Sequence, residues 1–143
     1  MSENKLQSRI LKNFGPSVLH VKIPKNIVDT INVYIDGLVN DKVKIKSLDA
    51  GEHLVGDVTQ EFSLEDEFIK KSGWYVFLAS CVRKWIEFET KKKVTKFEIL
   101  DSWVVRQFAN EYNPTHWHSG HISGAGFLKV PSTFGKYTQE KKT

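Results

Sequence analysis

Between positions 63 and 93 the chain carries an apolar stripe too wide for a helix lying free on a surface. Phe68, Tyr75, Leu78, Val82 and Trp85 recur at helical spacing, and Trp74, Phe77, Cys81 and Phe88 widen the stripe. A helix with so broad an apolar face must be packed, and a sheet is its natural partner. Ser63 is placed to act as N-cap, and Glu65, Asp66 and Glu67 crowd the first turn, where the dipole favours anions. Lys91, Lys92 and Lys93 follow the other end, where cations are favoured. Trp74 and Trp85 read as core rather than as a ligand box. Cys81 lies inside the stripe, so a buried inert thiol is expected rather than a nucleophile.

The remaining elements are read around that helix. Residues 17–23 (SVLHVKI) alternate as a strand, with Val18, His20 and Lys22 on one face and Leu19, Val21 and Ile23 on the other. His20 is on the more polar face and reads as a surface histidine. Pro24 suits a helix start, and Ile27, Ile31, Tyr34 or Ile35, and Leu38 recur at helical spacing up to about Val39. Asn40 and Asp41 look like the exit. An irregular stretch follows over residues 42–62, with Gly51 and Gly56 as turn points and His53 as a loop residue. Residues 96–108 (KFEILDSWVVRQF) are rich in β-branched and aromatic side chains, with a corner or bulge at Asp101-Ser102. Phe97, Ile99, Trp103 and Val105 share one face of that strand, and Leu100, Val104 and Phe108 the other. Residues 109–114 form a turn, and residues 122–130 (ISGAGFLKV) read as another strand ending at Pro131. The pattern predicts a single α+β domain over residues 1–143, its helices packed on one face of a largely antiparallel sheet.

Composition narrows the class. No apolar run approaches the roughly 18 residues a membrane span needs, and the N-terminus lacks the apolar core of a secretory signal. One cysteine precludes an internal disulfide and suits a reducing, cytoplasmic compartment. The net charge of +4 comes from scattered lysines, whose only tight clusters are Lys91-Lys92-Lys93 and Lys141-Lys142. That is not the clustered stripe of a nucleic-acid surface, so neither nucleic acid nor membrane is an expected partner. Nothing in the pattern reads out the oligomeric state.

Chemistry concentrates in one place. Three of the five histidines, His116, His118 and His121, fall within NPTHWHSGHISG. In an extended segment, residues i and i+2 point the same way. His116 and His118 can therefore present two imidazoles to one point while Trp117 turns away into the core. Imidazole is a ligand for iron, zinc, copper or nickel. A surface turn that happens to hold several histidines is the plain alternative. Gly120, Gly124 and Gly126 thin out the side chains beside the pair, as glycine does where a ligand or another backbone approaches. His121, at an odd offset, falls on the opposite face and reads as a solvated turn residue or a distant third ligand.

Ser102-Trp103, then residues 112–120 (YNPTHWHSG), then residues 123–131 (SGAGFLKVP), together resemble a family of Fe(II)- and 2-oxoglutarate-dependent oxygenases found in phages and marine bacteria. The resemblance covers residues 97–131 well and the N-terminal part loosely. It implies a mainly β domain, a partial double-stranded β-helix (jelly-roll) with the N-terminal helices packed on one sheet. It also implies oxidative decarboxylation of 2-oxoglutarate coupled to hydroxylation of a C–H bond in an unidentified substrate. His116 takes the place of the first Fe(II) ligand, and His118 stands where that family usually has a carboxylate. Arg106 and Asn113 are candidates for the 2-oxoglutarate or substrate pocket, beside their plain reading as strand surface and turn former. No residue is assigned to acid–base or nucleophilic catalysis. Residues 125–127 (AGF) replace the Val-Tyr-Tyr of that family, and no histidine or arginine follows Pro131 to complete its pattern. The expectation is therefore a domain incomplete at its C-terminus. Two rivals remain. One is a cupin-like metal protein, although Ile122 and Ser123 stand where its glutamate belongs. The other is a catalytically silent interaction module of phage or bacterial origin.

Overall fold

The computed structural model describes residues 7–51 and 56–132. Strands β1 (Ser8–Leu11) and β2 (Val18–Val21) pair antiparallel, Ser8 opposite Val21 and Leu11 opposite Val18. The alternation expected for residues 17–23 is present: Leu19, Val21 and Ile23 are half-buried, while Val18, His20 and Lys22 are exposed. Pro24, with φ −57°, stands at the N-cap of helix α1 (Lys25–Leu38), where its missing N–H costs nothing. Ile27, Ile31, Ile35 and Leu38 form the buried face of α1.

Helix α1 closes on Val39 as its C-cap, and Asp41 starts the next helix. Its carboxylate accepts from the backbone N–H groups of Val43 and Lys44 and so caps the short helix α2 (Lys42–Ser47). The stretch expected to be irregular therefore begins helical. It leads to strand β3 (Glu61–Ser63), helix α3 (Asp66–Lys71), helix α4 (Trp74–Thr90) and strand β4 (Trp103–Val105).

The long helix expected after Ser63 is thus two helices. Ser63 closes β3 instead of capping a helix, and Glu65 holds the N-cap position of α3. The break falls at Gly73, whose φ of +80° is the left-handed conformation glycine adopts without steric cost. At the far end Lys91 takes φ +57° and its ammonium donates to the Phe88 carbonyl at 2.7 Å, which suits the negative end of α4.

The core forms where α1 meets α4 beneath β2. Ile27, Ile31, Ile35, Phe77 and Cys81 are buried together, with Leu19, Val21, Ile23, Trp74, Leu78, Val104 and Leu128 packed around them. Cys81 is free and buried, and burial raises its thiol pKa, as expected of an inert core thiol. Trp85 reaches from α4 to donate to Ser17 Oγ at 2.7 Å, which ties the helix to the first sheet.

The jelly-roll expectation is overturned. A jelly roll needs two facing sheets of about eight strands in all. The described residues hold two separate two-stranded antiparallel sheets, β1–β2 and β3–β4. Helices of 14, 6, 6 and 17 residues outweigh strands of 4, 4, 3 and 3, so the described chain is not mainly β either. Of residues 96–108 only β4 pairs, and residues 122–130 form no strand. Strand propensity measures fit to a pleated surface that has neighbours, and here the neighbours are helices. Residues 126–128 run across the helical core instead. Asn32 Nδ2 donates to the Leu128 carbonyl at 3.3 Å, and a Cβ on Gly126 would lie 3.1 Å from Ile23 Cδ1. Burial is uneven as a result: no described residue after Cys81 is buried. No helix among the described residues is long and apolar enough to cross a membrane. His53, Lys141-Lys142 and residues 133–143 lie outside the described residues.

Candidate metal centre

A ribbon of paired backbone carries the histidines. In β3–β4, Glu61 lies opposite Val105 and Ser63 opposite Trp103. The pairing resumes at an antiparallel bridge between Asp57 and Tyr112, with N–H···O distances of 3.0 and 3.3 Å. Between these points the chain turns, with Asn110 at φ +70° and Glu111 N donating to the Phe108 carbonyl. Glu111 fastens the turn. Its carboxylate accepts from Thr59 Oγ1 at 2.6 Å, Thr59 N at 3.2 Å and Phe108 N at 2.8 Å. Those bonds, the Thr59 hydroxyl first, hold its pKa below the usual carboxylate value. Gly56 is required here, because a Cβ would meet Asn113 Oδ1 at 2.7 Å and the Tyr112 carbonyl at 3.1 Å.

The ribbon therefore delivers Asn113 and Pro114, and immediately beyond them the two histidines. Pro114's carbonyl can only accept, so the 2.7 Å contact makes His116 Nδ1 its donor. In the neutral ring that leaves the lone pair on Nε2, the tautomer a metal ligand needs. His116 Nε2 faces His118 Nε2 at 3.0 Å, with ring centroids 4.6 Å apart and planes at 85°. Two nitrogens held about 2.1 Å from one ion at right angles would be separated by about 3.0 Å. The same distance lets His118 Nε2–H donate to His116 Nε2. The i, i+2 reading thus brings the pair together, but the expectation for Trp117 is reversed: it is 87% exposed. The indole that packs beside the pair is Trp103, 5.3 Å from the His118 ring centroid.

Glu61 is the group that sequence reasoning missed. It is 4% exposed, and its Oε1 is buried with no hydrogen-bond partner among the described residues. Burial, and then the charge of Asp49, raise its pKa above the usual carboxylate value, while His116 and the Asn113 side chain pull it partway back. The alternation Glu61, Phe62, Ser63 contains no sign that the polar face of this strand is covered. Residues 48–50, which pair along β3, and the segment returning through the Asp57–Tyr112 bridge are brought there by tertiary contacts.

The other candidates are placed as follows. Asn113 stands on the Glu61 side. Arg106 donates from Nη1 to Gln60 Oε1 at 2.6 Å and lies over Phe108, 5.6 Å from the ring centroid. Glu61 and Val105 share one face of the ribbon, so Gln60 and Arg106, each one residue on, point to the other. His121 is exposed and takes no part in the ring contact. His20 is a surface residue that accepts from Arg9 Nε at 3.1 Å. Among the described residues no group of three or more His, Cys, Asp or Glu side chains is placed to hold a metal ion. The donor set nonetheless fits an iron ion at two positions, through Nε2 of His116 and of His118. It does not fit 2-oxoglutarate through Arg106, which is held by Gln60 on the opposite face.

The chain matches no protein-family model, and neither a curated protein nor a solved structure matches it.

Proposed function

We propose that this chain carries the iron-holding segment of a non-haem Fe(II) oxygenase of the 2-oxoglutarate-dependent kind, acting in the cytoplasm on an unidentified substrate. The observation that supports it best is the facing pair of imidazole nitrogens, one with its tautomer set by the Pro114 carbonyl. When bound, Fe(II) supplies the one-electron and oxygen chemistry that side chains lack. The chain's own residues do the rest. Pro114 orients His116, Trp103 packs on His118, and Gly56 lets Asn113 approach the ribbon closely. Asn113 is the remaining candidate for contact with 2-oxoglutarate or substrate.

Anaerobic calorimetric titration of Fe(II), with and without 2-oxoglutarate, tests the reading against the double variant His116→Ala/His118→Ala. Micromolar or tighter binding by the wild type, lost in the variant and strengthened by 2-oxoglutarate, is the expected result. Absence of binding by the wild type sinks the proposal. It would leave the metal-free interaction module, which one specific observation favours: Trp117, Phe108 and Tyr112 are all exposed around the same turn.

A further inference from the structure

The outward face of the β1–β2 hairpin carries a block of hydrogen-bond donors that the metal reading does not use. Arg9 lies opposite His20 across the pair, and one step further along Lys22 N donates to the Gln7 carbonyl. Side chains alternate along a strand, so Gln7, Arg9, His20 and Lys22 share the face turned from the core, and all four are exposed. With Ser8 they line an open hollow of about 460 Å³. Arg9 Nε donates to His20 Nδ1 at 3.1 Å. A guanidinium cannot accept, so this bond places the proton of the neutral imidazole on Nε2, where it serves as a second donor beside the terminal Arg9 nitrogens.

We propose that this hollow binds the phosphate group of a small phosphate ester, of which a nucleoside monophosphate is the size. Neither Arg9, His20 nor Lys22 forms an ion pair among the described residues. Lys84, reaching from α4 to donate to Ser8 Oγ at 2.7 Å, forms none there either. Cations gathered on one patch of sheet repel one another and add nothing to folding, and a bound anion offsets that repulsion. Phosphate suits the set better than a carboxylate does, since it brings about −1.5 to −2 charges and three acceptor oxygens. The guanidinium fork takes two oxygens, and the imidazole N–H and the ammonium take the third. At the other end of the same face Leu11 and Val18 stand opposite each other and exposed, an apolar surface for the remainder of the ester.

The test follows the side-chain nitrogen resonances of Arg9 and His20 in the labelled full chain at constant ionic strength. Inorganic phosphate, adenosine monophosphate and adenosine are added in turn. The expected result is a saturable shift of both residues with phosphate, tighter binding of the monophosphate, and no shift with adenosine. Arg9→Gln and Lys22→Gln should each weaken binding about tenfold, whereas Lys46→Gln, which removes the same charge from α2, should leave it unchanged. Equal weakening by all three variants would show a diffuse charge effect and overturn the site, as would shifts that do not saturate. Equal affinity for phosphate and the monophosphate would overturn the part given to Leu11 and Val18. Circular dichroism serves as the folding control, and should a variant fail to fold, wild-type shifts centred away from β1–β2 would still overturn the proposal. His116→Ala/His118→Ala should bind phosphate as the wild type does, which keeps this outcome separate from that of the metal reading.

Discussion

Helix α1 and the histidine-bearing segment after β4 both carry large apolar side chains, but they use them differently. In α1, Ile27, Ile31, Ile35 and Leu38 turn to one side and are all buried. After β4, Phe108, Tyr112, Trp117 and Phe127 are all exposed. The first region is held by non-directional burial, which scales with the apolar area removed from water. The second is held by particular hydrogen bonds, among them Glu111 across its turn, the Asp57–Tyr112 bridge and Pro114 to His116. One region therefore carries stability. The other can carry chemistry in His116 and His118, which are exposed and outside the core, although Leu128 further on packs against it.

That contrast is broken or sharpened by a graded set of substitutions. Ile31 is 1% exposed at the centre of the core, so Ile31→Ala should cost about 2–5 kcal/mol by the cavity it leaves, measured by chemical denaturation. A loss below about 1 kcal/mol would mean that α1 is not the stabilising element. Gly73→Ala comes next. The space around it is adequate, with the nearest atom, Ile27 Cδ1, at 3.8 Å, but φ +80° is strained for any side chain. A cost of about 1–2 kcal/mol is expected, and a thermal melt equal to that of the wild type would show that α3 and α4 can fuse into one helix.

The polar tie between the helices should respond to pH. Glu65 accepts from Lys44 at 2.6 Å and from the Tyr34 hydroxyl at 2.6 Å, and those bonds, Lys44 first, lower its pKa. A depressed carboxylate adds stability that is complete above the unfolded value, near 4.3, and fades as pH falls through the folded value. Wild type should therefore exceed Glu65→Gln in denaturation midpoint at pH 7 and lose that advantage below about pH 4. The pair is exposed, so the difference will be small. A constant difference across this range would show that the tie contributes nothing ionic. Smallest of all, Trp117→Ala should change stability by no more than about 0.5 kcal/mol, since the indole is 87% exposed. A larger loss would place Trp117 in a contact that burial does not reveal.

These predictions follow the line between what was legible in the chain and what was not. Local signals were legible. The alternation of Leu19, Val21 and Ile23, the spacing of Ile27, Ile31 and Leu38, the burial of Cys81 and the meeting of His116 with His118 all depend on residues close in sequence. Two local misreadings have local causes, since Gly73 was passed over as a break and Asp41 as a cap. The larger error was to read the β-rich residues 96–108 and 122–130 as members of a barrel. Propensity states what a segment tolerates, and pairing needs a partner strand, which only Trp103–Val105 finds.

The sequence by itself determined the helix faces, the inward side of β2 and the proximity of two histidines, because periods of 2 and 3.6 residues act at short range. Only the tertiary structure decided that Trp117 faces outward, that Arg106 bonds Gln60, and that Glu61 is buried. The faces of Arg106 and Glu61 depend on the register of β3 against β4, a contact between distant stretches of chain, and a shift of one residue would reverse both.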